Sequence, residues 1–146
     1  MIAYHYDDGG RKDAGYKGKT GDCVVRSIAI ATQQPYAMVY DRINELAKAM
    51  ERPTLTRSGK RSSARAGVHK NVYGRYLREQ GWVWVPCMAI GSGCKVHLRA
   101  EELPAGRLIV RVTRHMVAVI DGVVHDTYDC SRDGDRCVYG YWSKGD

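Results

Sequence analysis

His115-Met-Val-Ala-Val-Ile120-Asp121-Gly122-Val123-Val-His125-Asp126 is the stretch that decides how the second half of this chain folds. Two apolar runs flank Asp-Gly, a dipeptide suited to the positive φ angles of a two-residue hairpin turn. With that loop Ile120 faces Val123, and stepping outward Val117 faces Asp126 and His115 faces Tyr128. Side chains alternate between the faces of a strand, so His115 and Asp126 share a face as diagonal neighbours about 7–8 Å apart by backbone. An imidazole and a carboxylate close that gap. His125 lies one residue off and points to the opposite face, which excludes it as the partner of His115.

Outward from the hairpin, residues 82–85, 107–112, 115–120, 123–127 and 138–142 are short runs rich in β-branched and aromatic residues, and read as strands. The first half has helical periodicity instead. Residues 7–22 form a loop punctured by Gly9, Gly10, Gly15, Gly18 and Gly21. Asp22 follows as an N-cap, and Val24, Val25, Ile28 and Ala31 recur at helical spacing, which puts Cys23 in the first helical position. Pro35 starts a second helix with Val39, Ile43, Leu46, Ala47 and Met50 as its buried stripe. Residues 51–67 lose periodicity and collect Arg52, Arg57, Lys60, Arg61 and Arg65 in a basic loop. A third helix spans about 68–80, with Tyr73, Tyr76 and Leu77 inward and Gly81 as its stop. Helices first and antiparallel strands afterwards define an α+β domain, and 146 residues amount to one domain, 1–146.

The aliphatic supply is thin: six Leu, seven Ile, fifteen Val and no Phe, so ten Tyr, three Trp, five Met and five Cys must help fill the core. The aromatic content argues against disorder. The net charge of +7 comes without a long run of one sign. No apolar run approaches the ~18–20 residues of a membrane span. The opening Met1-Ile-Ala-Tyr-His-Tyr-Asp-Asp has no charged segment followed by an apolar one, so no secretory signal is expected and the cytoplasm is the expected location. Thiols stay reduced there. Cys87 and Cys94, like Cys130 and Cys137, are separated by six residues, a poor match to the two to four of paired zinc ligands. Four ordinary semi-buried thiols are therefore expected in preference to a metal site or two disulfides, and the chain calls for no metal and no cofactor.

A thiol at a helix N-terminus is acidified by the helix dipole and the free N–H groups. A neighbouring imidazole stabilises the thiolate further, and a carboxylate orients the imidazole. Cys23, His115 and Asp126 therefore form a complete nucleophile–base–orienter set. The same residues also allow a plainer reading, in which Cys23 is helix packing and His115 a satisfied core histidine.

The run Gly21-Asp-Cys23-Val-Val-Arg-Ser-Ile-Ala-Ile-Ala-Thr32, with Pro35-Tyr36 and Val39-Tyr40-Asp41, resembles the nucleophile helix of papain-like cysteine peptidases, in particular short phage and bacterial members related to leader-processing peptidases. The segment from Leu103 through His115 to Asp126 and Thr127 resembles their His strand and the Asp strand after it. The resemblance covers about half the chain in two blocks in the family's order. It implies a papain-like fold, Cys23 as nucleophile, His115 as general base and acid, Asp126 as orienter, and a peptide or protein substrate cleaved through a thioester. One departure stands out. Such peptidases carry an upstream Gln that helps form the oxyanion hole, whereas here Lys17 occupies that place and no Gln precedes Cys23. The Cys23 N–H supplies one donor, with Lys17, Tyr16 and Thr20 as candidates for a second. Deamidase, transglutaminase and acyltransferase share the thioester step, and an inactive relative fits the missing Gln.

A binding module is the competing class. Arg57, Lys60, Arg61, Arg65 and Lys70, near Tyr73 and Tyr76, are suited to contacting phosphates and stacking bases, or to an acidic substrate. No recognised nucleic-acid-binding signature accompanies them, and a solvated basic loop, exposed over 52–66, is the expectation.

Overall fold

The structure, a computed structural model, describes residues 2–17, 21–50, 62–89 and 91–145. Among the described residues, three helices and six strands follow one another as β1 (Ala3–Tyr6), α1 (Cys23–Thr32), α2 (Tyr36–Met50), α3 (Lys70–Glu79), β2 (Trp82–Pro86), β3 (Arg107–Val112), β4 (His115–Ile120), β5 (Val123–Asp126) and β6 (Val138–Lys144). A short 3₁₀ turn, Ala100–Glu102, precedes β3. The strands form one mixed sheet in the order β1-β5-β4-β3-β6-β2. The fold is α+β.

The β4–β5 hairpin has the expected register, with Ile120 paired to Val123, Val119 to Val124 and Ala118 to His125. Asp121 (φ 48°) and Gly122 (φ 76°) both adopt the left-handed conformation that a tight hairpin turn needs. The Asp121 carboxylate also accepts the Gly106 N–H at 2.7 Å, tying the turn to the entry of β3.

Alternation gives the sheet two buried faces. Ile109, Met116, Ala118 and Trp142 pack against the three helices. Leu108, Val110, Val117, Val119 and Val124 pack against Ile2, Leu98 and Leu103 on the other side. The scarcity of Leu and the absence of Phe are met as the composition requires, because Tyr36, Tyr73, Tyr76, Trp82 and Trp142 are all buried. Helix α1 is buried over most of its surface. Its last carbonyls, of Ile30 and Ala31, accept hydrogen bonds from the Arg107 guanidinium at 3.1 and 2.9 Å, a cation at the negative end of the helix dipole. These bonds fix the helix axis against β3 and so fix where Cys23 emerges.

Three expectations need correction. The sheet is mixed, not antiparallel throughout, because β1 joins its edge parallel to β5. All four residues of β1 are exposed, so it carries no apolar alternation to announce it. Asp22 precedes the helix but its side chain makes no cap. Finally, Cys94 and Cys137 form a disulfide, with 5.8 Å between their Cα atoms. The bond crosses between the two equally spaced pairs, because Val138 donates to Val96 and Leu98 donates to Arg136, drawing the two segments alongside each other. Cys23, Cys87 and Cys130 remain free.

Near the site the backbone is tight. A Cβ on Gly140 would meet the Trp84 ring and lie 2.8 Å from the Val85 carbonyl oxygen. Gly140→Ala should therefore cost about 1–3 kcal/mol by overpacking, read as a lower urea midpoint with an unchanged slope.

Candidate active site

Cys23 is the first residue of α1, and His115 is the first residue of β4. The helix start is delivered to the sheet end where β4 begins. Asp126 closes β5, and its Oδ2 lies 2.6 Å from His115 Nε2, both groups being buried. With Nε2 given to Asp126, Nδ1 is the ring nitrogen left to serve a second partner. The Cys23 thiol lies beside the ring, closely enough that the two groups shift each other's pKa. The structure thus brings Cys23, His115 and Asp126 together. His125 lies elsewhere, against Asp7 at 3.8 Å and the His5 ring.

Electrostatics shift all three groups toward their charged forms. Burial raises the Cys23 pKa, but hydrogen bonding to His115, the imidazolium charge, the Met116 N–H and Arg26 outweigh it, and the thiol pKa ends below its ordinary value. Burial disfavours a charged His115, yet hydrogen bonds to Asp126, Cys130 and Cys23 and the Asp126 charge raise its pKa to about 11. Burial likewise raises the pKa of Asp126, but the imidazolium, the Thr127 N–H at 2.7 Å and Arg26 bring it below the usual carboxylate value. All three shifts run toward the charged forms, so the thiolate–imidazolium pair with an ionised Asp126 is favoured over the neutral thiol and imidazole.

The charges extend beyond the trio. Arg26, one turn along α1, reaches Asp126 Oδ1 at 3.4 Å and also pairs with Asp22. Asp22, 1% exposed, further receives Arg11 at 3.3 Å and the Tyr36 hydroxyl. Arg11, Asp22, Arg26, Asp126, His115 and Cys23 therefore alternate in sign along a single chain of contacts. This explains why Asp22 does not cap its helix: its oxygens are committed to two guanidinium groups and a phenol. It also leaves the first-turn N–H groups without a side-chain acceptor, directly beside the Cys23 sulfur.

The other predicted residues are placed as follows. The Tyr16 ring packs on Tyr36 and Tyr40 at 5.0 and 4.6 Å, in an aromatic cluster away from the thiol. Lys17 is exposed, and its carbonyl accepts from Arg65 at 3.1 Å. Arg65 is exposed on the surface. Thr20, Arg57, Lys60 and Arg61 lie outside the described residues, as do Arg52 and most of the basic segment. Lys70 sits over the Trp84 ring at 5.3 Å, and Tyr73 and Tyr76 are buried in the core rather than presented for stacking.

Reading the sequence missed Arg26 and Cys130. Arg26 lies at the i+4 position from Asp22, a pairing that marks it in hindsight. Buried Cys130 lies beside His115, and its thiol pKa is raised chiefly by burial. His115, Asp126 and Cys130 offer an imidazole, a carboxylate and a thiol within 4.8 Å of one another, the kind of donor set zinc uses. Asp126 is already engaged by His115, Arg26 and the Thr127 N–H.

A cleft of about 420 Å³ opens over the thiol, lined among others by Cys23, Arg26, Arg111, Arg114, His115 and Tyr128. The Tyr128 ring rests on the imidazole at 5.4 Å and limits its solvent exposure. No family model, curated protein or solved structure matches the chain. Among the described residues, no helix is long and apolar enough to cross a membrane.

Proposed function

We propose that the protein is a papain-like cysteine hydrolase acting on peptide or amide bonds. The observation that carries this reading is the 2.6 Å contact of Asp126 with His115 Nε2, which leaves the other ring nitrogen to the Cys23 thiol at the start of α1. The Cys23 thiolate attacks the carbonyl carbon and the π electrons move to oxygen. The first-turn N–H groups of α1, that of Cys23 among them, donate to the resulting oxyanion, which supplies donors without the upstream Gln. As the oxyanion collapses, the C–N bond breaks and His115 passes its proton to the departing nitrogen. A thioester on Cys23 remains. Water then attacks it, His115 accepts the water's proton, and collapse returns the thiolate and a free carboxylic acid. Asp126 keeps the ring oriented and its charge compensated throughout.

The test is acyl trapping. Acid quench of the protein turning over a peptide ester or amide, followed by mass spectrometry, should find the acyl group on Cys23. Cys23→Ser should end turnover, and His115→Ala should lower kcat by about 10²–10⁴-fold. Turnover that survives Cys23→Ser, or no hydrolysis of any peptide or amide by the intact protein, would overturn the reading.

A further inference from the structure

We propose that the cleft selects substrates bearing a carboxylate next to the scissile bond, through Arg111 and Arg114. This rests on Cys23 being the nucleophile of the cleft. Arg111 and Arg114 flank His115 on its two sides along the β3–β4 hairpin and both line the cleft over Cys23. Among the described residues the cleft lining contains no carboxylate, and neither guanidinium has an ion pair. The remaining arginine of this cleft, Arg26, is committed to Asp22 and Asp126, and nearby Arg136 to the Cys130 and Thr113 carbonyls. Of the cations lining the cleft over Cys23, Arg111 and Arg114 are therefore the two left to face the ligand space.

The backbone beside them is irregular. Between Arg111 and Val112 the pairing of β3 with β6 slips by one residue, Tyr139 being the extra residue on the β6 side. Arg114 adopts φ 55°, a left-handed conformation that an arginine enters only at a cost in strain. A turn made only to connect two strands is better served there by Gly or Asn. Adjacent clefts continue the groove on both sides. One, of about 460 Å³, shares Arg111 and includes Lys70, and the other, of about 560 Å³, shares Arg114 and includes Arg132. Asp129 is the one acidic residue lining either, and its Oδ1 is taken by the Ser131 N–H and hydroxyl. A polypeptide with Asp or Glu beside the cleaved bond satisfies both unpaired guanidinium groups. It also supplies the carbonyl carbon a thiolate attacks, which a nucleic-acid backbone lacks.

The test compares iodoacetate with iodoacetamide, which differ by one charge and alkylate the same sulfur. The iodoacetate-to-iodoacetamide rate ratio at Cys23 should fall at least about fivefold in Arg111→Gln/Arg114→Asn, and rising salt should lower it in the native protein. Asn is chosen at 114 because it tolerates the left-handed backbone. In parallel, Cys23→Ser should bind acetyl-Ala-Glu-Gly-Ala-amide at least about tenfold more tightly than its Gln counterpart, and the double substitution should remove that difference. A ratio unchanged by the double substitution, or equal affinity for the Glu and Gln peptides, overturns the proposal. So does a single-stranded oligonucleotide that shields Cys23 from iodoacetamide better than the Glu peptide does. Both comparisons are read without turnover. Peptide hydrolysis without acidic preference therefore sinks this inference alone, and charge preference without hydrolysis sinks the hydrolase reading alone.

Discussion

Alkylation of Cys23 by iodoacetamide should fall off at lower pH in the native protein than in His115→Ala, where it should slow by about 10³-fold between about pH 8 and about pH 5. An ordinary thiol loses thiolate tenfold for each pH unit below its pKa of about 8.5. For Cys23 the onset of that slope moves to lower pH, because its pKa is lowered by the imidazolium and Arg26 against the opposing effect of burial. The slope is a better test than the rate at any one pH. A more acidic thiolate is intrinsically less nucleophilic, with a Brønsted coefficient of about 0.4–0.5, so much of the gain in thiolate fraction is offset in absolute rate. The other thiols give a steep background, because burial raises the pKa of both Cys87 and Cys130 and the remaining two cysteines are bonded to each other. The imidazolium partner persists to the alkaline side. A His pKa raised from 6.5 to about 11 contributes stability that is whole below 6.5 and lost as pH rises through about 11. Asp126, with its pKa lowered from 3.8, contributes above that value and loses its contribution as pH falls through the depressed one. Activity should accordingly show a broad plateau through neutrality, not a narrow bell. An alkylation profile in the native protein that coincides with that of His115→Ala would sink the thiolate–imidazolium assignment.

What the sequence discloses is what is local. The Asp121-Gly122 turn, the β4–β5 register and the shared face of His115 and Asp126 follow from a twelve-residue stretch, because a two-residue loop leaves a hairpin no freedom of register. The position of Cys23 follows from Asp22 and the helical spacing after it. Contacts made across long stretches of chain were not legible. The approach of α1 to β5 through Arg26 and Asp126 joins residues 100 apart, and nothing local marks either as the other's partner. The β1–β5 pairing is similarly remote, and its strand is exposed throughout. Asp22 was misread for a different reason. Its position and type are those of an N-cap, and only the tertiary arrival of Arg11 and Tyr36 turns the carboxylate away from the helix end. Arg114 held a usable signal: an arginine in the two-residue turn immediately before His115 occupies a site where a small residue is easier to accommodate.

The largest loss of stability at a position that never touches substrate should come from Asp22. Its carboxylate is wholly buried between Arg11 and Arg26, whose side chains are only 17% and 12% exposed. Asp22→Ala removes the anion and leaves two largely buried guanidinium groups against each other, which should cost about 3–5 kcal/mol. Tyr36→Phe, which takes away one hydroxyl from the same carboxylate, should cost only about 1–2 kcal/mol. The pairing can be separated from mere packing by a cycle. Arg26→Met alone strands Asp22 with Arg11 and deprives Asp126 of a cation, while Asp22→Ala with Arg26→Met removes a charge of each sign. The double variant should therefore be more stable than the sum of the two single losses predicts, by about 0.5–3 kcal/mol, as read from urea midpoints. The site gives a second readout. Arg26 lowers the pKa of both Cys23 and Asp126, so Arg26→Met should move the acid limb of Cys23 alkylation to higher pH. Loss of stability without any movement of that limb would make Arg26 a structural ion pair only. Strictly additive losses would mean that Asp22 and Arg26 contribute through packing, and the alternating charges would then not be the device that fixes helix α1 beneath the imidazole.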